Sequence, residues 1–265
     1  MPIPLFQIDA FTDTPFAGNP AAVCLLEAPR PVAWMSSVAR EMNLSETAFL
    51  VRRSDGFDLR WFTPAIEVDL CGHATLASAH MLWEMQHVPA DQTLRFHTKS
   101  GVLTADRRGD WIELDFPARI DTPAPAPEGL TAALGLTAPR YVGRFNNDYL
   151  IEVESESIVA GLAPDFSRLR ALPVRGVIVT SRASSAGVDF VSRFFAPSAG
   201  VDEDPVTGSA HCLLTPYWHQ RLGRTEFIAR QLSARGGLLR LSLDGDRVRI
   251  SGQAVTVVRG ELLDS

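Results

Sequence analysis

The 265-residue chain has few of the residues that define several common protein classes. Its three cysteines (Cys24, Cys71 and Cys212) are too few for a disulfide framework, and their number is odd. Among the 25 basic residues only Lys99 is a lysine, so pyridoxal-phosphate chemistry would depend on one residue without a supporting motif. No apolar run approaches the roughly 18 residues of a membrane helix, and the N-terminus lacks the basic region of a signal peptide. We therefore expect a cytoplasmic protein without a membrane partner.

Other absences exclude further ligands. The net charge is −6 and no basic cluster is present, which argues against nucleic-acid binding. No Gly-x-Gly-x-x-Gly or Gly-x₄-Gly-Lys loop is present for a nucleotide. The pairs Cys71 with His73 and His211 with Cys212 lack the spacing of a tetrahedral zinc site. The sequence thus predicts neither a metal nor an organic cofactor.

What the chain does contain is an internal repeat of about half its length. Five residues recur at an offset of 133: Arg60, Phe62, Pro64, Val68 and Asp69 match Arg193, Phe195, Pro197, Val201 and Asp202. Three extra residues are then expected, because Gly72-His73-Ala74 matches Gly208-Ser209-Ala210 at an offset of 136. Such a period is too long for a solenoid and predicts two related lobes, each with a glycine turn that opens a helix. A site bounded by two helix N-termini would suit a small anionic metabolite.

The predicted fold class is α+β, because many strands accompany one buried helix per lobe and no βαβ rhythm is visible. The helices after Gly72 and Gly208 are apolar nearly all round, which is typical of buried helices. We expect a third helix over 161–170 and a proline-rich linker over 117–127, where proline should interrupt both sheet and helix. The predicted lobes are 1–118, which the strand at 253–265 would join, and 119–252.

Candidate catalytic residues lie beside these elements, and each has a structural alternative. Glu46 precedes an apolar strand and is either a solvated carboxylate or a general base. His73 is either a satisfied buried histidine or a proton carrier. The acids from Asp202 to Asp204 would cap the second helix, although a third acid there exceeds that need and makes Asp204 a candidate. Ser209 is either a helix-start residue or a donor to a ligand carboxylate.

Four motifs in order resemble the phenazine-biosynthesis PhzF-like isomerase family, which has the diaminopimelate-epimerase fold. The resemblance extends from the first strand to the last. The motifs are Asp9-Ala-Phe-Thr with Phe16-Ala-Gly-Asn-Pro-Ala-Ala-Val23, Asn43-Leu-Ser-Glu-Thr-Ala-Phe49, Phe62-Thr-Pro with Glu67-Val-Asp-Leu-Cys-Gly-His-Ala-Thr75, and Phe195-Ala-Pro with Asp202-Glu-Asp-Pro-Val-Thr-Gly-Ser-Ala-His211. The segment Gln231-Leu-Ser-Ala-Arg-Gly-Gly237 is similar to a widespread branch of the family rather than to the phenazine enzyme itself.

The resemblance implies two pseudo-symmetric lobes, each a curled, mostly antiparallel sheet around a central helix, no cofactor, and a homodimer. It also implies roles for particular residues. Glu46 matches the proton-abstracting acid, and the residues matching the rest of the site are His73, Asp204, Asn19, Gly72, Gly208 and Ser209. Diaminopimelate epimerases place a cysteine on each side of the substrate; here Cys71 occupies the first place but Thr207 the second. A threonine hydroxyl is too weak an acid to replace a thiol, which disfavours two-thiol racemisation.

The sequence therefore predicts a cofactor-independent isomerase that moves a proton within a small carboxylate-bearing metabolite, with Glu46 as general acid and base. The alternative enzyme is an amino-acid racemase or epimerase that uses Glu46 with Asp204 or Cys71. The alternative from another class is a catalytically silent binding or scaffold protein. The intact set of candidate residues argues against that last hypothesis.

Overall fold

The computed structural model describes residues 2–263, which divide into two compact units. The first unit contains the chain up to Phe116 together with the chain from Arg249 onward, and the second contains Pro117–Val248. Residue 1 of the predicted first lobe and residues 264 and 265 of its predicted last strand lie outside the described residues. None of the helices within 2–263 has the length and apolar character needed to cross a membrane.

The helices and strands follow one another with short connections. The first ten elements are β1 (Ile3–Ala10), β2 (Asn19–Leu26), α1 (Val32–Met42), β3 (Glu46–Arg53), β4 (Gly56–Phe62), β5 (Glu67–Val68), α2 (Gly72–Glu84), β6 (Leu94–Thr98), β7 (Gly101–Arg108) and β8 (Trp111–Pro117). The next are β9 (Thr122–Pro123), α3 (Leu130–Ala133), β10 (Tyr141–Phe145), β11 (Asp148–Glu152), α4 (Glu156–Ala160), α5 (Phe166–Arg170), β12 (Gly176–Arg182), β13 (Phe190–Ala196), a 3-10 turn (Pro197–Ala199), β14 (Val201–Asp204), α6 (Gly208–Leu222), β15 (Glu226–Gln231) and β16 (Gly237–Asp244). The last two are β17 (Arg247–Gly252) and β18 (Ala254–Leu262).

The first unit is built on a mixed sheet. Strand β1 pairs antiparallel with both β18 and β2, and β2 pairs parallel with β3. Strand β4 pairs antiparallel with β3 and with the short β5, and parallel with β6. Strands β6, β7 and β8 continue in antiparallel order. Phe57, Leu59 and Trp61 of β4 are buried on one face, because alternate side chains of a strand point the same way.

The second unit repeats this order of strands. Strands β10 and β11 pair antiparallel, β11 and β12 parallel, and β12 and β13 antiparallel. Strand β13 then pairs antiparallel with the short β14 and parallel with β15, which pairs antiparallel with β16. The register repeats too, since Phe57 pairs with Phe96 and Phe190 pairs with Ala229, both at the offset of 133. The predicted α+β class with two like units is confirmed.

A buried helix packs inside each unit. In α2, ten of the 13 residues are buried, and the helix contacts β1, β2 and β3. A helix without a polar face satisfies its backbone internally and can be enclosed by sheet. In α6, Pro216 lies inside the helix, which nevertheless continues to Leu222. Proline cannot donate a hydrogen bond to the carbonyl four residues earlier, and that carbonyl, of Cys212, accepts the N–H of Arg119 at 3.0 Å instead.

Three expectations about local structure are wrong. Only the second half of the predicted helix over 161–170 is helical, as α5, because Asp165 caps a new start there by accepting the N–H of Arg168, and α4 ends before residue 161. The linker over 117–127 includes β9, which pairs with β10; proline is tolerated there because an edge strand leaves one side without hydrogen bonds. Each unit also contains a βαβ connection, since α1 joins the parallel strands β2 and β3, and α4 with α5 joins β11 and β12.

Gly252 tests how tightly the core of the first unit packs. A Cβ at this residue would lie 2.3 Å from Cδ1 of the buried Phe11, whereas a Cβ at Gly260 would meet nothing within 4 Å. We expect Gly252→Ala to lower the free energy of unfolding by about 1–3 kcal/mol through overpacking, and Gly260→Ala to leave it nearly unchanged. Urea denaturation of both variants measures this. Equal stability of the two would contradict the packing described here.

Candidate active site

Glu46 stands at the edge of the first unit's sheet. It is the first residue of β3 and pairs with Ala21 of the parallel strand β2. Asn19, two residues earlier on β2, is fully buried and pairs with Ala10 at the end of β1. Parallel strands start at the same edge of a sheet. Glu46 and Asn19, both predicted site residues, are therefore brought to one edge.

The first turn of α2 contributes two more side chains to Glu46. The Nε2 atom of His73 lies 3.3 Å from Oε2 of Glu46, and the Nδ1 atom of His73 lies 3.5 Å from Sγ of Cys71. One donor atom from each of the three residues lies within 4.8 Å of those of the other two. The contact with Cys71 has hydrogen-bond geometry, whereas the contact with Glu46 is close but not aligned as a hydrogen bond. We call Glu46, Cys71 and His73 the proton-sharing cluster.

Burial determines the charge of His73. Its side chain is almost inaccessible, and desolvation lowers its pKa from 6.5 to about 3. At neutral pH the imidazole is therefore uncharged, with a proton on one ring nitrogen and a lone pair on the other. A neutral ring between a thiol and a carboxylate can accept a proton on one side and donate one on the other.

The N-terminal turn of α2 is held by groups outside the helix. Its N-cap, Cys71, makes no side-chain capping bond, but the carbonyl of Cys71 accepts the hydroxyl of Thr75 at 2.5 Å. Ser100, in the turn after β6, donates its hydroxyl to the carbonyl of Asp69 at 2.7 Å. Arg60 binds both carboxylate oxygens of Glu67 at 2.7 and 2.8 Å and so joins β4 to β5. These bonds fix the backbone that carries Cys71 and His73.

The second unit holds the start of α6 in the same manner. Arg193 binds both carboxylate oxygens of Glu203 at 2.7 and 2.8 Å. Ser233 donates to the carbonyl of Pro205 at 2.8 Å, as Ser100 does to Asp69. His211, at the position of Thr75, contacts the carbonyl of the N-cap Thr207 through Nδ1 at 2.8 Å. Burial lowers the pKa of His211 to about 4, so it too is neutral at pH 7.

This equivalence corrects the predicted place of the three extra residues. Trp61 pairs with Val68, and the corresponding Phe194 pairs with Asp204. Asp204 thus takes the place of Val68, and the offset of 136 already applies there. The extra residues lie in the turn that begins with Pro197–Ala199 and at the irregular pairing of β13 with β14, before Glu203. The matches of Val68 with Val201 and of Asp69 with Asp202 are therefore wrong.

The interpretation of the acidic run as a helix cap is also wrong. Asp202 binds Arg170 at 2.7 Å, Glu203 binds Arg193, and both lie in β14 rather than in a helix turn. Asp204 accepts the hydroxyl of Thr207 at 2.5 Å. Each carboxylate thus has its own partner, and the dipole of α6 is not needed to explain them.

Sequence reasoning missed the role of Gln231. This residue is fully buried at the end of β15, and its Oε1 accepts the backbone N–H of Thr207 at 2.9 Å. Its Nε2 donates to the carbonyl of Asp204 at 2.7 Å and to the hydroxyl of Thr207 at 3.2 Å. The sequence signal that could have identified it is its place as the first residue of segment 231–237, which is similar to a branch of the family. Gln231 positions the Asp204–Thr207 turn.

The remaining predicted residues open the two helices. Gly72 is the first residue of α2, beside Cys71 and His73, while Gly208 and Ser209 are the first two residues of α6. Ser209 is partly exposed. The second unit brings together Asp204, Thr207 and the start of α6, and the first unit brings together Glu46, His73 and Gly72. That the two sets act on one substrate stays a prediction.

The proton-sharing cluster is also the place in the described chain where donor types suited to a metal ion meet. The local spacing of Cys71 and His73 did not predict it, because Glu46 comes from a distant segment. Within the cluster, however, Nδ1 of His73 faces Cys71 and Nε2 faces Glu46. The ring's two nitrogens are thus turned to different partners, which favours the sharing of protons among the three side chains.

Comparison with known proteins finds relatives named as isomerases and solved structures with the same α+β fold. An uncharacterized isomerase of Halalkalibacterium halodurans is 56% identical over 264 residues, which cover 99% of each chain. The crystal structure of a PhzF-family phenazine biosynthesis protein from Enterococcus faecalis superposes with a TM-score of 0.94, at 44% identity, over 99% of this chain and 100% of that one. A probable proline racemase from Agrobacterium radiobacter, at 13% identity and a TM-score of 0.67 over 98% of this chain and 93% of that one, shares the fold alone.

The class that this fold and these relatives define is that of isomerases. The family model described as phenazine biosynthesis-like protein matches residues 8–260, and the chain belongs to that family. The predicted family resemblance and the predicted enzyme class are confirmed.

The two neutral histidines predict how stability depends on pH. Their folded pKa values, about 3 for His73 and about 4 for His211, lie below the ordinary 6.5, so the unfolded chain binds protons more readily. Above pH 6.5 both histidines are neutral in the folded and the unfolded chain, and they do not lower the free energy of unfolding. As the pH drops from 6.5 towards 4, each histidine lowers that free energy by about 1.4 kcal/mol per pH unit. Urea unfolding between pH 7 and 4.5 measures the slope. In His211→Gln the slope should fall by the equivalent of about one bound proton. An unchanged slope in that variant would contradict the assignment.

Gln231 predicts a second effect on stability. Gln231→Leu keeps the volume but leaves the N–H of Thr207 and the carbonyl of Asp204 without their amide partners. Buried groups that lose a partner cost about 1–3 kcal/mol, so we expect a loss of that order in the free energy of unfolding. Exposed Gln92 is the matched control, and Gln92→Leu should change stability by less than about 0.5 kcal/mol. Comparable losses in both variants would show that the amide bonds of Gln231 do not hold the turn.

Proposed function

We propose that the protein is a cofactor-independent isomerase that moves a proton within a small carboxylate-bearing metabolite, with Glu46 as general acid and base. The observation that carries the proposal is the proton-sharing cluster. Glu46 is mostly buried, with 17% of its side chain exposed, and lies 3.3 Å from a neutral imidazole. A carboxylate at such an edge is reachable by a small substrate yet shielded from bulk water.

The proposed proton transfer depends on the acidity of a substrate C–H bond. A C–H bond next to a carbonyl or carboxylate group loses its proton to a positioned base, and the electron pair is delocalised into that group. Backbone N–H groups at the start of α2 are unpaired within the helix and favour a nearby anionic group. The neutral ring of His73, whose Nε2 lies 3.3 Å from Oε2 of Glu46, can donate a hydrogen bond to the carboxylate or accept one from the protonated carboxyl group once the two groups align. No electron transfer or group transfer is involved.

The runner-up is an amino-acid racemase or epimerase. The observation that favours it is the thiol of Cys71 beside Glu46, because inversion of a stereocentre needs a proton donor as well as a base. In either case Gly208 and Ser209 of the second unit belong to the proposed substrate-binding set, and Asp204 belongs to the proposed catalytic set. We also propose that the protein acts as a cytoplasmic homodimer, which light scattering of the purified protein tests.

Proton exchange with heavy water tests the role of Glu46. A panel of small carboxylic acids and amino acids is incubated with the protein in D₂O, and exchange, migration and inversion at each C–H are followed by NMR and mass spectrometry. We expect one or more compounds to react with wild type, and Glu46→Gln to lower the rate by about 10²–10⁴-fold. Exposed Glu41 on α1 supplies the control, since Glu41→Gln should keep the wild-type rate.

The outcome also separates the candidate functions. A double bond that moves along the substrate supports the isomerase, and deuterium at an inverted stereocentre supports the racemase. Equal rates in wild type and Glu46→Gln would remove Glu46 from its role. Activity that a chelator abolishes and Zn²⁺ restores would replace the cofactor-independent mechanism with a metal-dependent one.

A further inference from the structure

We propose that Cys71 is a second catalytic proton carrier, joined to Glu46 through the ring of His73 in one proton-transfer chain. The inference rests on the proposed function and adds the group that returns the proton. The contacts run in sequence, from Sγ of Cys71 to Nδ1 of His73 at 3.5 Å and from Nε2 of the same ring to Oε2 of Glu46 at 3.3 Å. A ring that contacts a thiol with one nitrogen and a carboxylate with the other links the two acids.

All three cysteines are buried, and what singles out Cys71 is its partner. Burial raises the pKa of both Cys24 and Cys212 to about 12, and neither thiol has a histidine nitrogen as a hydrogen-bond partner among the described contacts. Cys71 is the N-cap of the 13-residue helix α2 and has the imidazole of His73 as its partner. A thiol activated by an adjacent base is the chemical form in which cysteine exchanges protons and acts as a nucleophile.

The proton-transfer chain moves protons without creating a buried cation. When the ring holds its proton on Nε2, the S–H bond breaks and an Nδ1–H bond forms, while the Nε2–H bond breaks and a carboxyl O–H bond forms. The products are a thiolate, a neutral ring and a protonated Glu46. When the ring starts with its proton on Nδ1, the same transfers run in reverse. The imidazolium ion, which burial disfavours, is never required.

Catalysis uses the two ends of the proton-transfer chain, the carboxylate of Glu46 and the thiol of Cys71. The carboxylate of Glu46 takes the substrate proton, so a C–H bond breaks and an O–H bond forms, and the electron pair delocalises over the substrate. The thiol of Cys71 then gives its proton to a second carbon, so S–H breaks and C–H forms. The carboxyl proton returns through His73 to the thiolate, and exchange with water resets the ring.

A test without substrate uses alkylation of the cysteines at neutral pH. Wild type is treated with iodoacetamide, and each cysteine is followed by mass spectrometry. We expect Cys71 to react while Cys24 and Cys212 stay unmodified. Glu46→Gln should slow the reaction of Cys71 on the order of tenfold, because the ring loses the carboxylate that accepts its proton. Simple electrostatics predicts the opposite, since loss of a nearby negative charge favours a thiolate. A faster reaction in Glu46→Gln, or an unreactive Cys71 in wild type, overturns the proposal.

A variant of His73 distinguishes proton transfer through its ring from a contact that is only structural. His73→Leu should slow alkylation of Cys71 as Glu46→Gln does, while His80→Leu, further along α2, should not. In every variant Cys24 and Cys212 report folding, since both become reactive when the core opens. An unchanged rate at Cys71 in His73→Leu, with Cys24 and Cys212 still protected, overturns the proposal.

Turnover in D₂O distinguishes failure of this inference from failure of the proposed function. With a substrate from the carboxylic-acid panel, a product that carries solvent deuterium at the second carbon after a single turnover supports Cys71 as donor. Cys71→Ser should then lower the rate by about 10²-fold or more. If Cys71→Ser is fully active and Glu46→Gln is inactive, the role of Cys71 in proton transfer is refuted and the proposed isomerase function is retained. Full activity in both variants refutes the two together.

Discussion

Each unit encloses a helix that is apolar on almost every side, and neither helix has a side-chain bond of its own to cap its first turn. The N–H groups of that turn and the carbonyls before it must therefore be satisfied by other segments. The same pair of devices meets this need twice: a serine of the following hairpin binds the approach to the helix, and an arginine binds a glutamate on the neighbouring short strand. The placement of Cys71, His73 and Asp204 depends on this constraint, whereas Glu46 is placed by the sheet edge.

One scaffold thus carries two different local chemistries. In the first unit the helix start presents Cys71 and His73 to Glu46, and Thr75 supplies the bond to the N-cap carbonyl. In the second unit Thr207 takes the place of Cys71, and the buried His211 is used for that carbonyl bond. Gln231 adds contacts of its own to the second turn. The repeated backbone explains why the two halves share a topology. The exchanged side chains explain why, within residues 2–263, the proton-sharing cluster is found in the first unit alone.

The sequence predicts the repeated units, the buried helices and the family because these depend on local patterns: periodicity, glycine turns and spaced motifs. Its errors arise where distant segments meet. The register of β14 places Asp204 opposite Phe194, so the three extra residues of the second unit come earlier than the sequence match indicated. Local matching of residues does not reveal this register. The acids after Val201 look like helix caps until their arginine partners are known. Likewise Cys71 and His73 are adjacent in the chain, but their link to Glu46 exists only because β3 and α2 start beside each other.

The pairing of β1 with β18 has a consequence for how the protein is made. Residues 117–248 of the second unit form a continuous stretch, whereas β1 needs a partner from the far end of the chain. Until the ribosome has delivered β18, one side of β1 presents unpaired N–H and C=O groups while its neighbour β2 covers the other. Such an open strand edge can join another chain instead. The nascent first unit is thus the part of the molecule most exposed to aggregation, and its protection depends on how quickly translation reaches the last strand.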